Sequence, residues 1–475
     1  MKAFSGIIIR SSLYGRECIH TGHFKGKDAD MTRGAVWKEL LRFSIPMALG
    51  LLFQQLYNTV DTIVVGQYVG KAALAAVGST SSIINTLVGF CTGLFTGASV
   101  IVSQRYGAHD DKGLHTAVHT TLSIALILCV LTTVAGVFSV RPMLQMMSTP
   151  EDVLGEATEY LRIYFMGISG LLLYNMGSAL LRAVGDSRRP LYILCFSALT
   201  NVAGDLIFVL AFRMGVAGVA YATILSQFLS AALVLFLLTR EKKAYGIRWN
   251  RLCLDKDTIL GILNLGLPSG IQQAVTAFSN VFVQSYINFF GSSCMAGWSS
   301  YNKLDVFVLI PMQSIALAST TFVGQNVGAK QMKRAGQGVR TALNMSLLVT
   351  AALIVLIEVF ARDFIRLFTP EEDVIAYGAY FVRLISPFYL TTCFNQIFAG
   401  ALRGVGDAKR PTIIMLASFV VFRQIFLYVA KMLGNSFLAI SLAYPMGWIV
   451  CSVLLTVCYS RSKLGKRQLA AIWEG

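Results

Sequence analysis

Two carboxylates sit where carboxylates are costly. Asp61 and Asp205 each interrupt an apolar stretch long enough to cross a bilayer, and a charged side chain there costs about 2.5–3.5 kcal/mol on insertion scales. Such a group persists only if it is paired, protonated or bound to a cation. Neither stands alone. Gln54, Asn58 and Asp61 recur at i, i+4 and i+7, which is one face of a helix. Asn201 and Asp205 are four apart, and so are Thr223 and Gln227 in the following stretch. Three polar stripes in one half of the chain can converge on one point. Two carboxylates held together favour a shared proton. The same oxygens, joined by amide and hydroxyl oxygens, can instead coordinate a sodium ion. No Lys or Arg lies deep in these three stretches to neutralise them. The plainer reading of each group is a satisfied hydrogen bond between helices.

The elements that must position these groups are membrane helices. The chain has 475 residues, of which 55% are hydrophobic and only 13% charged, too little charge to cover a soluble surface of that size. Apolar runs predict twelve spans: 43–67, 73–101, 116–138, 157–181, 191–212, 216–239, 258–288, 294–324, 341–361, 377–401, 412–431 and 437–459. Lipid leaves the backbone no partner but itself, so the fold class is all-α and integral to the membrane. The net charge of +16 is a topology signal and not a nucleic-acid footprint. Counting the termini and the even-to-odd loops as one side, 30 of the 40 Lys and Arg lie there and 6 lie opposite. This bias places both termini in the cytoplasm of a multi-pass protein of the plasma (inner) membrane, in contact with membrane lipids.

The chain is also duplicated. Arg182-Ala-Val-Gly-Asp-Ser-Arg-Arg-Pro190 returns as Arg403-Gly-Val-Gly-Asp-Ala-Lys-Arg-Pro411, and the same register carries Gln104, Gly107 and Ala108 onto Gln325, Gly328 and Ala329. Pro46 falls on Pro268 one residue out of that register. Six spans per half return each half to its starting side, so the repeats are parallel, related by a pseudo-twofold axis along the membrane normal. The expected domains are a tail (1–35), an N-terminal lobe of helices 1–6 (36–240), a basic linker (241–256), a C-terminal lobe of helices 7–12 (257–460) and a second tail (461–475), with Met31 a second possible start. Two like membrane bundles in one chain point to a transporter with its site between them.

The register sharpens the reading of the acids. It sets Val283 opposite Asp61, Phe422 opposite Asn201, Phe426 opposite Asp205 and Tyr444 opposite Thr223. A purely structural role would have been kept in both copies, so ion coupling belongs to the N-terminal half. The second half keeps an uncharged stripe, Gln272, Thr276, Asn280 and Gln284, either a polar cavity wall or glue between helices. Lys303 and Asp305 are two apart and cannot face each other along one helix, which makes Arg423 the expected partner of Asp305. Gly89, Gly93 and Gly97 repeat every four residues, a surface for sliding or for close helix packing. Pro46, Pro268, Pro311, Pro387 and Pro445 fall inside spans and can kink them. His115 and His119 lack a third ligand at a diagnostic spacing, so no metal site is expected beyond sodium at the acids. There is no phosphate-cradling Gly-x-x-x-x-Gly-Lys-Ser/Thr loop, which argues against ATP as the energy source; no cofactor is expected beyond the coupling ion, H+ or Na+. No catalytic constellation stands out.

These residues resemble a known family. The repeated Gln-x-x-Gly-Ala after spans two and eight (Gln104–Ala108, Gln325–Ala329), the run Ala401-Leu-Arg-Gly-Val-Gly-Asp-Ala-Lys-Arg-Pro411 and Val60-Asp-Thr-Ile63 in span one are similar to motifs of the multidrug and toxic compound extrusion (MATE) transporters. The resemblance covers roughly residues 36–460. It implies two six-helix lobes around a cleft and export of amphipathic organic cations, driven by a proton or sodium gradient. It also implies a cation site in the N-terminal lobe, matching Asp61, Asn201, Asp205 and Thr223 here. Members with acids in helices seven and ten have Thr276 and Thr392 at the matching positions of this chain. The basic residue of helix eight in the family matches Lys303. The expected function is therefore a monomeric secondary antiporter and not an enzyme. Phe53, Tyr57, Asn58, Gln272, Thr276, Asn280, Lys303 and Asp305 would line the substrate cleft, with Phe278 and Phe282 beside them. A lipid or lipid-linked oligosaccharide flippase on a related scaffold is the alternative; a membrane-embedded enzyme is a more distant one.

Overall fold

The computed structural model describes residues 30–147, 149–434 and 437–466. Most of the expected tail 1–35 and residues 467–475 lie outside the described residues. Within them the chain is helical, and no strand occurs among the described residues. The first six spans are α1 (Val36–Val64), α2 (Lys71–Gly107), α3 (Asp111–Met146), α4 (Glu151–Ala183), α5 (Arg188–Asp205) and α6 (Gly215–Arg240). Spans seven to nine are α7 (Lys256–Asn288), α8 (Ser292–Gly328) and α9 (Met332–Val359), followed by the short α10 (Ala361–Arg366). The last three spans are each broken in two. Span ten is α11 (Glu372–Ile385) and α12 (Tyr389–Val405), parted by a 3₁₀ turn that holds Pro387. Span eleven is α13 (Lys409–Leu416) and α14 (Arg423–Met432), and span twelve is α15 (Phe437–Ser441) and α16 (Ala443–Arg461).

Ten spans are long and apolar enough to cross a membrane by length and composition. The first and seventh helices are not among them, and they carry the polar stripes at Gln54–Asp61 and Gln272–Gln284. Three helices depart from regularity beside a charged residue. A π-helical segment follows α1 at Val65–Val69, another follows Asp205 at Leu206–Ala211, and a third precedes Arg423 at Ala417–Phe422. Segments of this kind concentrate at functional sites. Helix α1 runs unbroken through Pro46, and its regular hydrogen bonding changes only after Val64. Helix α3 continues past Pro142 to Met146, so the loop expected from residue 139 begins later.

The repeated motifs turn out to be helix ends and a closure. Gly185 (φ +90°) and Gly406 (φ +104°) sit just past α4 and α12, where only glycine turns the chain cheaply. The Asp186 carboxylate then accepts from the backbone N–H of Arg188 and Arg189 at 3.1 Å, and Asp407 accepts from that of Arg410 at 3.2 Å. Each motif ends one helix and caps the next. The glutamines join the halves reciprocally. Gln104 Nε2 donates to Gly404 O at 2.8 Å, and Gln325 Nε2 donates to Ala183 O at 2.9 Å. Gly107 and Gly328 allow this approach: a Cβ on either would lie 1.9 Å from the carbonyl oxygen of the opposite glutamine.

This closure lies at the end of the bundle that carries residues 30–35, the linker and residue 466, here termed the basic end. Residues 30–34 cover it. Met31 donates its N–H to Gln325 Oε1 at 3.0 Å, and its carbonyl accepts from Asn326 and Arg334. The start of α1 also crosses over: Leu40, Phe43 and Met47 share one apolar core with Phe322, Val339, Ile397 and Leu402. The glycine stripe of α2 is a packing surface against α7. A Cβ on Gly93 would fall 2.3 Å from Gly270 N, and one on Gly97 would fall 2.4 Å from Gly266 N. The linker is folded as well. His119, fully buried, accepts from Arg248 N at 2.9 Å through Nε2, while its Nδ1 lies 2.7 Å from His115 O. Both ring nitrogens of that histidine are thus taken by protein atoms.

Candidate functional site

Helices α1 and α5 pack together, and so do α5 and α6. Gly204 makes the second contact close, with Ala222 Cβ 3.0 Å from where its own Cβ would stand. This packing brings the expected acids together. The carboxyl groups of Asp61 and Asp205 come within hydrogen-bonding reach of each other. Two ionised carboxylates are both acceptors and make no bond until a proton joins them. Accordingly, one oxygen of Asp61 and both oxygens of Asp205 are buried with no donor on them. Asp205 is fully buried and Asn201, one turn earlier, is 1% exposed. Neither the amide oxygen nor the amide nitrogen of Asn201 has a partner. Each orphaned buried group costs about 1–3 kcal/mol, so this cluster is built for something other than stability.

Thr223 and Gln227 are divided. Thr223 is 8% exposed, and its hydroxyl donates to Val219 O of its own helix at 3.0 Å, with no bond to either acid. Gln227 Oε1 is buried without a partner and approaches Tyr164. Tyrosines complete the surroundings. Tyr57 and Tyr160 are both close enough to Asp61 and Asp205 to interact electrostatically. Tyr57 was expected in the cleft wall and stands beside the acids. Tyr160 and Tyr164 were missed; they are four apart in α4, and their rings lie 6.4 Å from one another. That spacing was legible, but nothing in the sequence says which face of α4 meets α1.

The C-terminal half fills the equivalent volume with apolar side chains. Val283 is 1% exposed in a core that Phe426 and Tyr444 pack against, and the rings of Phe422 and Phe426 lie 6.3 Å apart. The charged groups of this half are neutralised differently from the expectation. The expected pairing of Arg423 with Asp305 does not occur. Arg423, 3% exposed, donates to Ser279 Oγ at 2.8 Å and to Asn280 Oδ1 at 2.9 Å, and it stacks over Tyr444. Asp305 Oδ1 instead accepts from the Tyr301 hydroxyl at 3.3 Å and from that of Tyr389. Lys303 is exposed and lies 5.6 Å over the Phe368 ring. Relative rotation of helices α7, α8 and α14 decides these partners, and span-by-span reading does not reach it.

The expected cleft residues are spread along α1 and α7. Phe53, Phe278 and Phe282 are 42%, 62% and 47% exposed, and Asn58 and Asn280 are exposed as well. Gln272 is 7% exposed, and the Thr276 hydroxyl is buried without a partner. Thr392 donates to Tyr389 O at 2.7 Å and so belongs to the packing of α12. Aromatic side chains left open on the two polar-striped helices make an amphipathic surface away from the closed basic end.

Comparison with known proteins bears on the fold and the duplication. The family described as MatE matches residues 46–207 and again 268–429, once per half. "Probable multidrug resistance protein YpnP" of Bacillus subtilis (strain 168) is 31% identical over 446 residues, covering 93% of this chain and 99% of that one. "Probable multidrug resistance protein NorM" of Thermotoga maritima is 25% identical over 390 residues, covering 80% of this chain and 82% of that one. A solved structure described as the outward-facing conformation of a multidrug resistance MATE family transporter superposes with a TM-score of 0.87. It is 24% identical, covering 94% of this chain and 98% of that one. With two family matches in one chain and a relative this similar along nearly its whole length, the protein belongs to the MatE family of membrane transporters and is not an enzyme.

Proposed function

We propose that this chain is a secondary antiporter that exports amphipathic organic cations in exchange for a proton held between Asp61 and Asp205. The observation that carries the reading is the pair of facing carboxyls in one half, with no donor, no cationic neighbour and an unpartnered amide beside them among the described residues. A proton bridging the pair removes their mutual repulsion; its loss restores it. Because Asp61 lies on α1 and Asp205 on α5, that repulsion bears on how α1 packs. The exposed Phe53, Phe278 and Phe282 offer an apolar, quadrupole-rich wall that suits a lipophilic cation. Coupling arises if proton and substrate favour different arrangements of the two halves. The multidrug names of the relatives support the substrate class. The charge bias supports a plasma-membrane protein with cytoplasmic termini; the working unit of this proposal is a monomer.

Sodium is the second reading. The unpartnered oxygens of Asn201 and Gln227, with those of the acids, form the kind of oxygen set a hard cation takes. Purified protein in liposomes, given a pH gradient or a sodium gradient separately, distinguishes the two. Substrate movement driven by the pH gradient alone, and lost in Asp61→Asn and Asp205→Asn at equal incorporation, is expected. Transport driven equally well in both variants would remove the proposal.

A further inference from the structure

Between the two halves, near the closed basic end, lies a second polar cavity of about 30 Å³, room for one or two waters or a single small ion. Its walls come from α1, α2 and α4 of the first half and α8 of the second. Arg182, in the last turn of α4, lines it. Among the described residues the Arg182 guanidinium has no carboxylate beside it and no hydrogen bond; its one charged or titratable neighbour is Tyr174. The Tyr174 hydroxyl itself donates to Pro190 O at 3.4 Å. The repeat-related Arg403 differs, because its Nε donates to Ala399 O at 3.2 Å.

The hydroxyls around Arg182 are unusual in the same way. A threonine or serine inside a helix commonly donates to a carbonyl one turn back. Thr96 does so to Thr92 O at 2.8 Å, and Thr320 does so to Ala316 O at 3.0 Å. Thr92, Ser99 and Thr321 line the cavity and make no such bond among the described residues. A guanidinium and three uncommitted hydroxyl donors therefore converge on one small space, with no acidic group on its wall. A part-buried guanidinium in a narrow cavity is stabilised by a compensating negative charge. Among the described residues no charged group on the wall supplies it; Asn175, also on the wall, commits its amide nitrogen to Leu171 O at 2.9 Å and offers only a neutral oxygen, and the guanidinium and hydroxyl donors are of the type that holds an anion.

We propose that this cavity binds one small inorganic anion of the chloride class, held by Arg182 from one half and by Thr321 from the other. The ion would fasten the halves together where Gln104 and Gln325 already join them. It would thereby favour the arrangement closed at the basic end. This site is separate from the Asp61–Asp205 pair and does not depend on the identity of the coupling ion.

The test is thermal unfolding of the full-length protein in detergent, with sodium chloride replaced stepwise by sodium gluconate at constant ionic strength, and sodium bromide as a second titrant. An ion that binds only the folded form raises Tm with concentration, and a saturating rise of roughly 3 °C or more is expected for the wild type. Arg182→Gln should abolish the rise, and Arg182→Lys should retain part of it. Thr321→Val, which leaves the first half intact, should require about fivefold more chloride for the same rise, the loss of one hydrogen bond. Should Arg182→Gln fail to fold, the Thr321→Val titration and an anomalous bromide peak beside Arg182 in crystals decide the matter. No anion-specific rise in the wild type, or an equal rise in Thr321→Val with no bromide peak, would mean that the cavity holds only water and would overturn the assignment.

Discussion

Removing the two glutamine amides should loosen the basic end selectively. Gln104 and Gln325 each donate one hydrogen bond across the halves, at 2.8 and 2.9 Å, to carbonyls at equivalent positions of the duplicated unit. A typical intramolecular bond contributes about 0.5–1.5 kcal/mol net. Truncating both to alanine should therefore cost the closed arrangement about 2 kcal/mol, a shift of roughly 30-fold in its population relative to the open one. The glutamines lie against each other's backbones through Gly107 and Gly328, so their effects should couple, and a double-mutant cycle measures by how much. Spin labels at Arg188 and Lys409, both exposed and one in each half, would report the separation of the halves at this end. The expected result, in a cysteine-free background, is growth of a long-distance population in each single variant and more of it in the double variant. A distance distribution unchanged in Gln104→Ala/Gln325→Ala would refute the reasoning that these bonds hold the end shut.

Four further outcomes follow from the geometry. Asp305→Asn should keep gradient-driven transport, because an amide oxygen still accepts from Tyr301 and Tyr389; loss of coupling equal to that of Asp61→Asn would move the ion site into the second half. Gly93→Leu should sharply reduce the yield of folded protein in detergent, since a Cβ there already meets the backbone at Gly270, whereas Gly155→Ala, with open space around it, should leave the yield unchanged. Asp110→Ala should cost about 1 kcal/mol measured by thermal unfolding, the loss of the cap on Gly113 N. The Gly113 hydrogen bond, with help from Arg105, holds the Asp110 carboxyl below its ordinary value. Its stabilisation is therefore complete above the unfolded value of about 3.9. It is lost as pH falls through the lower folded-state value, and only the wild type should show that acid-side component.

Much of this molecule can be read from residues alone, for stated physical reasons. Spans are legible because lipid demands long apolar helices. The duplication is legible because its repeated motifs occupy helix ends and a closure, where glycine geometry and capping leave little choice. Asp61 and Asp205 stand out because burial of charge is expensive, and Phe422, Phe426 and Val283 mark the half that lacks them. What escaped has a common cause: the rotation of one helix against another has no one-dimensional signature. Tyr160 comes near the acids and Tyr164 meets Gln227, Arg423 reaches Ser279 and Asn280, and Asp305 turns to two tyrosines, only because of how neighbouring helices are rotated. The same holds for the start of α1, whose Phe43 and Met47 join the core of the other half. Arg182 looked like part of a repeated motif, and its lack of a partner among the described residues becomes visible only when its twin Arg403 is found to have one.

The most direct measurement of the central claim counts protons on substrate binding. Calorimetric titration of the purified protein with a lipophilic cation such as tetraphenylphosphonium, in two buffers of different ionisation enthalpy, yields the number of protons released. If the facing carboxyls of Asp61 and Asp205 hold the exchangeable proton, the wild type should release close to one per substrate bound, and Asp61→Asn and Asp205→Asn should each bind with none released. Binding by the wild type without proton release, or equal release from all three proteins, would contradict the account.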